Sequence, residues 1–180
     1  MKNFFLVQYW FIKNFLVAIF YKFSKGKTIP ADKLLDLIVI STGGVGSTTI
    51  MQHLKLFKKI NDEHNNDGYK HLAKFPFLEN SNTKIIFIYG EYDKVYNSLK
   101  RRNFIQTQVA ILGCPLCYLL RGALKRVFFD RCISKQINNF KNKKNVLCLK
   151  FEDIWENKKE IKTFLEIDSD DFIKNFPLKK

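Results

Sequence analysis

A loop rich in glycine and hydroxyl side chains follows an apolar run that ends near residue 40. The loop contains, in order, Thr42, Gly43, Gly44, Val45, Gly46, Ser47, Thr48 and Thr49. Glycines let successive backbone N–H groups converge on an anion, and the N-terminus of a following helix adds partial positive charge. The hydroxyls add donors, although Ser and Thr also cap helices that bind no ligand. The segment therefore predicts a phosphate-binding loop, with an ordinary tight turn as the alternative.

Two kinds of phosphate chemistry are disfavoured by what the loop lacks. A Walker A loop has a lysine immediately before its Ser or Thr, and Ser47 occupies that position here. The deviant loop of partition-type ATPases has a second lysine, which Thr42 replaces. A dinucleotide-binding turn has a third glycine where Thr49 stands. The sequence thus argues against ordinary ATP hydrolysis and against dinucleotide binding.

The elements that position the loop alternate along the chain. Short apolar runs at residues 34–40, 84–89 and 145–151 are typical of parallel strands covered on both faces. Each run precedes a stretch with helical spacing of its apolar residues. The alternation predicts an α/β fold, namely a three-layer P-loop-type parallel sheet flanked by helices, with an amino-terminal hydrophobic helix before it.

Three ordered segments resemble the signatures of the sulfotransferase family. They are the glycine loop, residues 84–102 with a strand, a turn and a Ser-bearing helix, and residues 146–154, which end in Phe-Glu-Asp-Ile. Together they cover most of residues 34–167. The resemblance implies that the loop binds the 5′-phosphosulfate of the cosubstrate 3′-phosphoadenylyl sulfate. It also implies that Ser98 matches the family serine at the 3′-phosphate.

The chain departs from the family at positions that usually bind phosphate. Gly90 stands where an arginine usually grips the 3′-phosphate, and Tyr92 replaces a proline. Gly44 or Val45 stands where the loop usually has Lys or Arg. Basic residues on the following helices are the expected replacements, with a solvated basic helix face as the alternative. The candidates are Arg101, Arg102, Arg121 and Arg126.

The family's catalytic base has a counterpart in the segment Tyr-Lys-His-Leu at residues 69–72. This segment resembles the Lys-Thr-His-Leu segment that bears the base of cytosolic sulfotransferases. Histidine suits the role because its unperturbed pKa lies near neutrality. The resemblance implies that His71 is the base and that Lys70 offsets charge on the bridging oxygen; an exposed or capping histidine is the alternative. His53 and His64 are expected at the surface.

These features predict in-line transfer of a sulfuryl group from 3′-phosphoadenylyl sulfate to an acceptor hydroxyl or amine, with no metal. The acceptor is expected to be a carbohydrate or a small molecule. Two alternatives come from other classes: a degenerate P-loop module that binds nucleotide without catalysis, and a basic module that binds membranes or nucleic acid. A formal charge of +14 supports the last alternative, but no RNA- or DNA-binding motif is recognisable.

The domain organisation follows from composition. We expect a hydrophobic helix over residues 1–23, a polar linker over residues 24–33 and a sulfotransferase-like domain over residues 34–180. The helix is either a membrane anchor or interfacial helix, or a soluble helix packed on the domain. If it spans a membrane, the lysines that follow it place the domain on the cytoplasmic side. Otherwise the whole chain is expected in the cytoplasm.

Two further features have structural and functional alternatives. Cys114 and Cys117 lie in an apolar run without a second pair or a suitably spaced histidine, which predicts a buried thiol pair. Redox or metal chemistry is the alternative for this pair. Residues 106–129 are apolar with interspersed basic residues, and they predict two core helices or an acceptor- or membrane-facing segment.

Overall fold

The computed structural model describes residues 2–23, 27–80 and 82–179. The helices are α1 (Lys2–Phe23), α2 (Ser47–Leu54), α3 (Tyr92–Arg101), α4 (Ile105–Ile111), α5 (Leu116–Leu119), α6 (Gly122–Phe140), α7 (Lys158–Phe164) and α8 (Asp171–Lys174). The strands are β1 (Thr28–Ile29), β2 (Leu37–Ser41), β3 (Phe77–Leu78), β4 (Lys84–Tyr89) and β5 (Val146–Lys150). Helices follow β2, β4 and β5 in turn, so the predicted alternation is confirmed.

The central sheet contains β2, β4 and β5 in that spatial order, and all its strands are parallel. Strand β2 is buried along its whole length, and the inner residues of β4 are buried as well. Branched aliphatic side chains suit such strands because they pack well on a pleated surface. The predicted α/β class with a parallel sheet is therefore confirmed. The carboxyl ends of the three strands share one edge, where ligands bind in open α/β sheets.

Part of the segment predicted as a linker, residues 24–33, is tied into the domain. Residues 24–26 lie outside the described part of the chain. Strand β1 pairs in parallel with β3, and a 3₁₀ turn, Ala31–Lys33, follows it. Residues 27–33 are thus held against the rest of the domain by backbone hydrogen bonds.

The amino-terminal helix α1 packs against α4. Its end passes so close to Gly113 that a Cβ there would lie 2.6 Å from the backbone nitrogen of Lys22. Phe15 meets Tyr118 edge-on, with ring centroids 6.4 Å apart. Among the described residues, no helix combines the length and apolar character needed to cross a membrane.

The open edge of β2 is covered by a side chain in place of a strand. Asn61 is 1% exposed. Its side chain accepts a hydrogen bond from the Val39 N–H at 2.7 Å and donates one to the Val39 carbonyl at 3.1 Å. Further along, the Ser41 N–H donates to the Lys70 carbonyl at 2.7 Å. These bonds satisfy backbone groups that a neighbouring strand would otherwise pair.

Replacing Asn61 with alanine should lower the free energy of unfolding by more than about 2 kcal/mol, because each buried backbone group left unpaired costs about 1–3 kcal/mol. Urea denaturation followed by circular dichroism measures the change. Asn66→Ala is the matched control, since Asn66 is exposed in the same connection and its loss should cost less than about 0.5 kcal/mol. Equal effects of the two substitutions would contradict the role given to Asn61.

Candidate functional site

The glycine loop joins the carboxyl end of β2 to the start of α2. Gly43, Gly44 and Gly46 have φ angles of +77°, +72° and +66°. This left-handed region costs other residues about 1–2 kcal/mol each, which explains the use of glycine at all three positions. Gly46 directly precedes the first residue of α2. The predicted sequence of strand, loop and helix is thus present.

The three hydroxyl residues after the loop have different surroundings. The buried Ser47 hydroxyl donates to Ser41 Oγ at 3.1 Å, so it braces the loop internally. Thr48 Oγ1 accepts a hydrogen bond from Lys70 Nζ at 2.8 Å. Ser47 and Thr48 line a cavity of about 300 Å³ over the loop, which we call the loop cavity. Thr49 is exposed and is not among the described residues that line the loop cavity.

Gln108 of α4 covers the loop from the other side of the loop cavity. A Cβ on Gly43 would lie 2.7 Å from its Oε1 atom. The side chain is buried at 4% exposure, and its Nε2 atom has no hydrogen-bond partner among the described residues. A buried, unpaired donor is costly, and a bound anion would satisfy it. The sequence prediction missed Gln108 because it lies in the apolar stretch 106–129, which showed no sign of a polar role.

Lys70 and His71 come to the loop from the connection between α2 and β3. Lys70 Nζ donates to Thr48 Oγ1 and, at 2.6 Å, to the carbonyl of Glu63. His71 Nδ1 lies 3.1 Å from the Ser41 carbonyl at the end of β2. Both side chains line the loop cavity.

The Ser41 carbonyl determines the tautomer of His71. A carbonyl only accepts hydrogen bonds, so Nδ1 carries the proton and Nε2 keeps its lone pair. Burial lowers the pKa of His71, and the nearby charges of Lys70 and Arg102 lower it further. Burial also lowers the pKa of Lys70, against the opposing effect of the Glu63 and Asp62 carboxylates. His71 is therefore neutral near pH 7, the form that a general base requires.

The predicted basic residues lie in different surroundings. Arg102 lines the loop cavity and donates through its guanidinium to the Ser98 carbonyl at 3.2 Å and to Ser98 Oγ at 3.3 Å. Arg101 is exposed and lies outside the described lining of the cavities at the loop. Arg126 forms an ion pair with Asp93. Arg102 is thus the predicted cation that the fold brings to the loop.

A second cavity, of about 260 Å³, lies on the other side of the loop and shares Gly44 with the loop cavity. We call it the aromatic cavity, because Phe151 and Trp155 line it with Ser98. Two lysines that the sequence prediction missed also line it: Lys94, one turn into α3, and Lys179, near the end of the chain. Lys179 Nζ lies 5.4 Å from the centroid of the Trp155 ring.

Gly90 stands where the family that the chain resembles usually has an arginine, and the structure leaves little space for a side chain there. A Cβ on Gly90 would lie 2.8 Å from Val45 Cγ1 and 3.2 Å from Val95 Cγ2. Val45 of the glycine loop therefore fills the space that a larger side chain at residue 90 would need. Lys94 and Lys179 reach the aromatic cavity from α3 and from the segment after α8, and Lys94 also forms ion pairs with Glu91 and Glu152.

A third cavity, of about 360 Å³, lies between α1 and the segment that carries His71. We call it the α1 cavity; Phe20, Leu72, Ala73 and Ile111 give it a largely apolar wall. It shares His71 with the loop cavity. The imidazole thus borders both cavities, one with polar donors and one with apolar walls.

The other two histidines have different surroundings from His71. His53 was predicted at the surface, and this prediction is wrong: it is 5% exposed and packs between Phe172 and Phe176. Its Nε2 atom donates to the Phe172 carbonyl at 3.0 Å and so ties α8 to α2. The side chain of His64 is 70% exposed, as predicted, at the rim of the loop cavity.

Comparison of the chain with protein-family models, with curated proteins and with solved structures gives no match. A functional assignment therefore depends on the chemistry of the three cavities and their shared residues.

Proposed function

We propose that this chain is a P-loop-type sulfotransferase that moves a sulfuryl group from 3′-phosphoadenylyl sulfate to an acceptor hydroxyl or amine. One observation carries the proposal: three cavities follow one another, with the glycine loop between the first two and His71 between the last two. A nucleotide donor, a transferred group and an acceptor need this order. The aromatic cavity would hold the nucleoside, the loop cavity the phosphosulfate, and the α1 cavity the acceptor.

The aromatic cavity matches the adenosine end of the donor in its chemistry. Aromatic faces such as that of Trp155 stack on nucleobases. Glu152 Oε2 is buried without a hydrogen-bond partner among the described residues, so it could accept from the adenine amino group. Ser98, Lys94 and Lys179 offer a hydroxyl donor and two ammonium groups for the 3′-phosphate.

The loop cavity matches the phosphosulfate end. Backbone N–H groups of a glycine loop at a helix N-terminus favour an anion, and Gln108 Nε2 adds an unpaired donor. Lys70 and Arg102 offset the charge that develops on the bridging oxygen as the sulfur–oxygen bond breaks. His71 Nε2 takes the proton of the acceptor hydroxyl on the opposite side, where in-line attack requires the nucleophile.

The α1 cavity indicates the kind of acceptor. Its wall of Phe20, Leu72 and Ile111 would bury an apolar body better than it would bind a glycan, whose hydroxyls need hydrogen-bond partners. A small molecule with one hydroxyl or amine directed at His71 fits this lining best.

A second candidate function is nucleotide binding without transfer. Two observations favour it: Lys70 Nζ is already engaged by Thr48 and the Glu63 carbonyl, and Gly90 leaves no room for the usual arginine. Such a module would bind the nucleotide but turn nothing over.

Calorimetric titration of the full chain with adenosine 3′,5′-bisphosphate, ATP and ADP tests the proposal. We expect selective binding of the bisphosphate. Ser98→Ala should weaken it by about tenfold or more, since a hydrogen bond to a charged group contributes about 1.5–3 kcal/mol. Ser169→Ala, at an exposed site, is the control. Equal or absent binding of the three nucleotides would exclude the sulfotransferase assignment, and selective binding without transfer in an acceptor screen would favour the second candidate.

The pH dependence of transfer should report the lowered pKa of His71. The base works when neutral, and burial keeps its pKa below the ordinary value of 6.5. The rate of transfer should therefore reach half of its maximum at a pH below 6.5 and fall further as the base is protonated. Initial rates between pH 5 and pH 9 measure this profile, with thermal melts at each pH to exclude unfolding. A half-maximal rate at a pH above 6.5 would contradict the assignment.

A further inference from the structure

Three cysteines from different elements meet beside the end of α1. Cys114 lies between α4 and α5, Cys117 in α5 and Cys132 in α6. Their sulfur atoms all lie within 4.8 Å of one another, and those of Cys114 and Cys117 are 2.8 Å apart. Cys114 and Cys117 are close because they are three residues apart in the sequence, whereas Cys132 is brought to them by the packing of α6. The proposed sulfuryl transfer uses none of these thiols.

The cysteine cluster is largely buried, but a cavity connects it to the surface. Cys114 and Cys117 are buried, whereas Cys132 is half-buried. A cavity of about 170 Å³, which we call the thiol cavity, reaches Cys114 and Cys132. Lys22 and Lys135 also line it and bring positive charge to the thiols. The described lining of the thiol cavity contains no carboxylate or imidazole.

We propose that Cys114, Cys117 and Cys132 bind one Zn²⁺ ion through three thiolates, with a fourth position open to the thiol cavity. Thiolates are soft ligands that select zinc over magnesium or calcium. Zinc with three protein ligands holds a water or a small ligand at its fourth position. Binding releases the three thiol protons to solvent. The complex keeps one negative charge, which Lys22 and Lys135 offset.

The metal-free geometry is close to what zinc requires. A tetrahedral ion with Zn–S bonds of about 2.3 Å separates its sulfur ligands by about 3.8 Å. The sulfur separations of 2.8 Å to at most 4.8 Å bracket that distance. Shifts of about 1 Å per side chain would complete the coordination. A position on three packed elements also makes the site dependent on the folded state.

Metal titration of the full chain tests this proposal independently of transfer activity. The protein is purified under reducing conditions, stripped with a chelator and titrated with Zn²⁺, and with Co²⁺ as a spectroscopic substitute. We expect one equivalent of Zn²⁺ per chain, a thiolate-to-Co²⁺ charge-transfer absorption, and a rise in Tm with added Zn²⁺, because the native state alone contains the site.

Substitutions then assign the ligands. Cys132→Ser should weaken Zn²⁺ binding by more than about 100-fold, since loss of an outer partner alone costs about 10- to 100-fold. Cys148→Ser is the matched control, because Cys148 lies in β5 outside the cluster, and it should leave affinity unchanged. The proposal fails if the unmodified chain binds no stoichiometric Zn²⁺, or if Cys148→Ser weakens binding as much as Cys132→Ser. It also fails if a Cys114–Cys117 disulfide persists under the reducing conditions.

Discussion

Replacing His71 with alanine should lower the rate of sulfuryl transfer by about 100- to 10,000-fold, the usual contribution of a general base. The imidazole is held by its Nδ1–H bond to the Ser41 carbonyl, which leaves Nε2 to take the acceptor proton. The α1 cavity that His71 borders is the proposed acceptor site, whereas the nucleoside would lie in the aromatic cavity, whose described lining does not include His71. Steady-state rates with a labelled donor measure the loss, and affinity for adenosine 3′,5′-bisphosphate should stay unchanged.

Added imidazole separates a lost base from a damaged fold. If His71→Ala only removes the base, imidazole in solution should restore part of the rate, because the substitution leaves a space where the ring was. Thermal melts of the variant provide the folding control. A rate within about tenfold of the unmodified protein, less than a base contributes, would show that His71 has another role.

Replacing Gly44 with alanine should abolish binding of adenosine 3′,5′-bisphosphate and lower the free energy of unfolding by about 2–5 kcal/mol. Its φ angle of +72° costs an alanine about 1–2 kcal/mol. The new Cβ would also lie 3.0 Å from the Val95 carbonyl oxygen and 3.2 Å from Leu99 Cγ. Relief of this crowding costs about 1–3 kcal/mol more and shifts the loop between the aromatic cavity and the loop cavity. Denaturation and calorimetry measure the two effects.

Gly122→Ala is the control that separates the effect of crowding around residue 44 from the effect of backbone strain. Gly122 also has a positive φ angle, +56°, but no atom lies within 4 Å of its added Cβ. The substitution should therefore cost only the backbone strain of about 1–2 kcal/mol and leave nucleotide binding intact. Equal losses of stability and binding in both variants would mean that Gly44 is not held closely against α3.

The sequence predicted the parts of this site that depend on short-range patterns. The glycine loop was recognisable because three nearby positions need glycine, and the apolar runs predicted β2, β4 and β5. The segment around His71 was selected only for its resemblance to a sulfotransferase segment, and the fold places His71 at the loop cavity.

Residues that meet only through tertiary packing were missed. Lys179 lies 27 residues beyond Glu152, yet its Nζ atom donates to the Glu152 carbonyl. Cys132 joins Cys114 and Cys117 only because α6 folds back over them. No local spacing reports such contacts.

Two other positions were open to closer sequence analysis. His53 lies three residues after Ile50 and one before Leu54, on the apolar face of α2, so helical spacing already indicated burial. At Gly90, a small residue agrees with the apolar residues Val45 and Val95 of the neighbouring loop and helix, since a Cβ there would meet both side chains.

The Asn61 side chain has a consequence for how copies of this chain behave together. An open strand edge is a template on which another molecule can add its own strand and begin aggregation. Strand β2 lies at the edge of the sheet, yet both hydrogen-bonding groups of Val39 are already taken by Asn61. The strand that carries the glycine loop is thereby closed to intermolecular pairing, and a chain lacking this amide would expose the edge of a largely apolar strand to other copies.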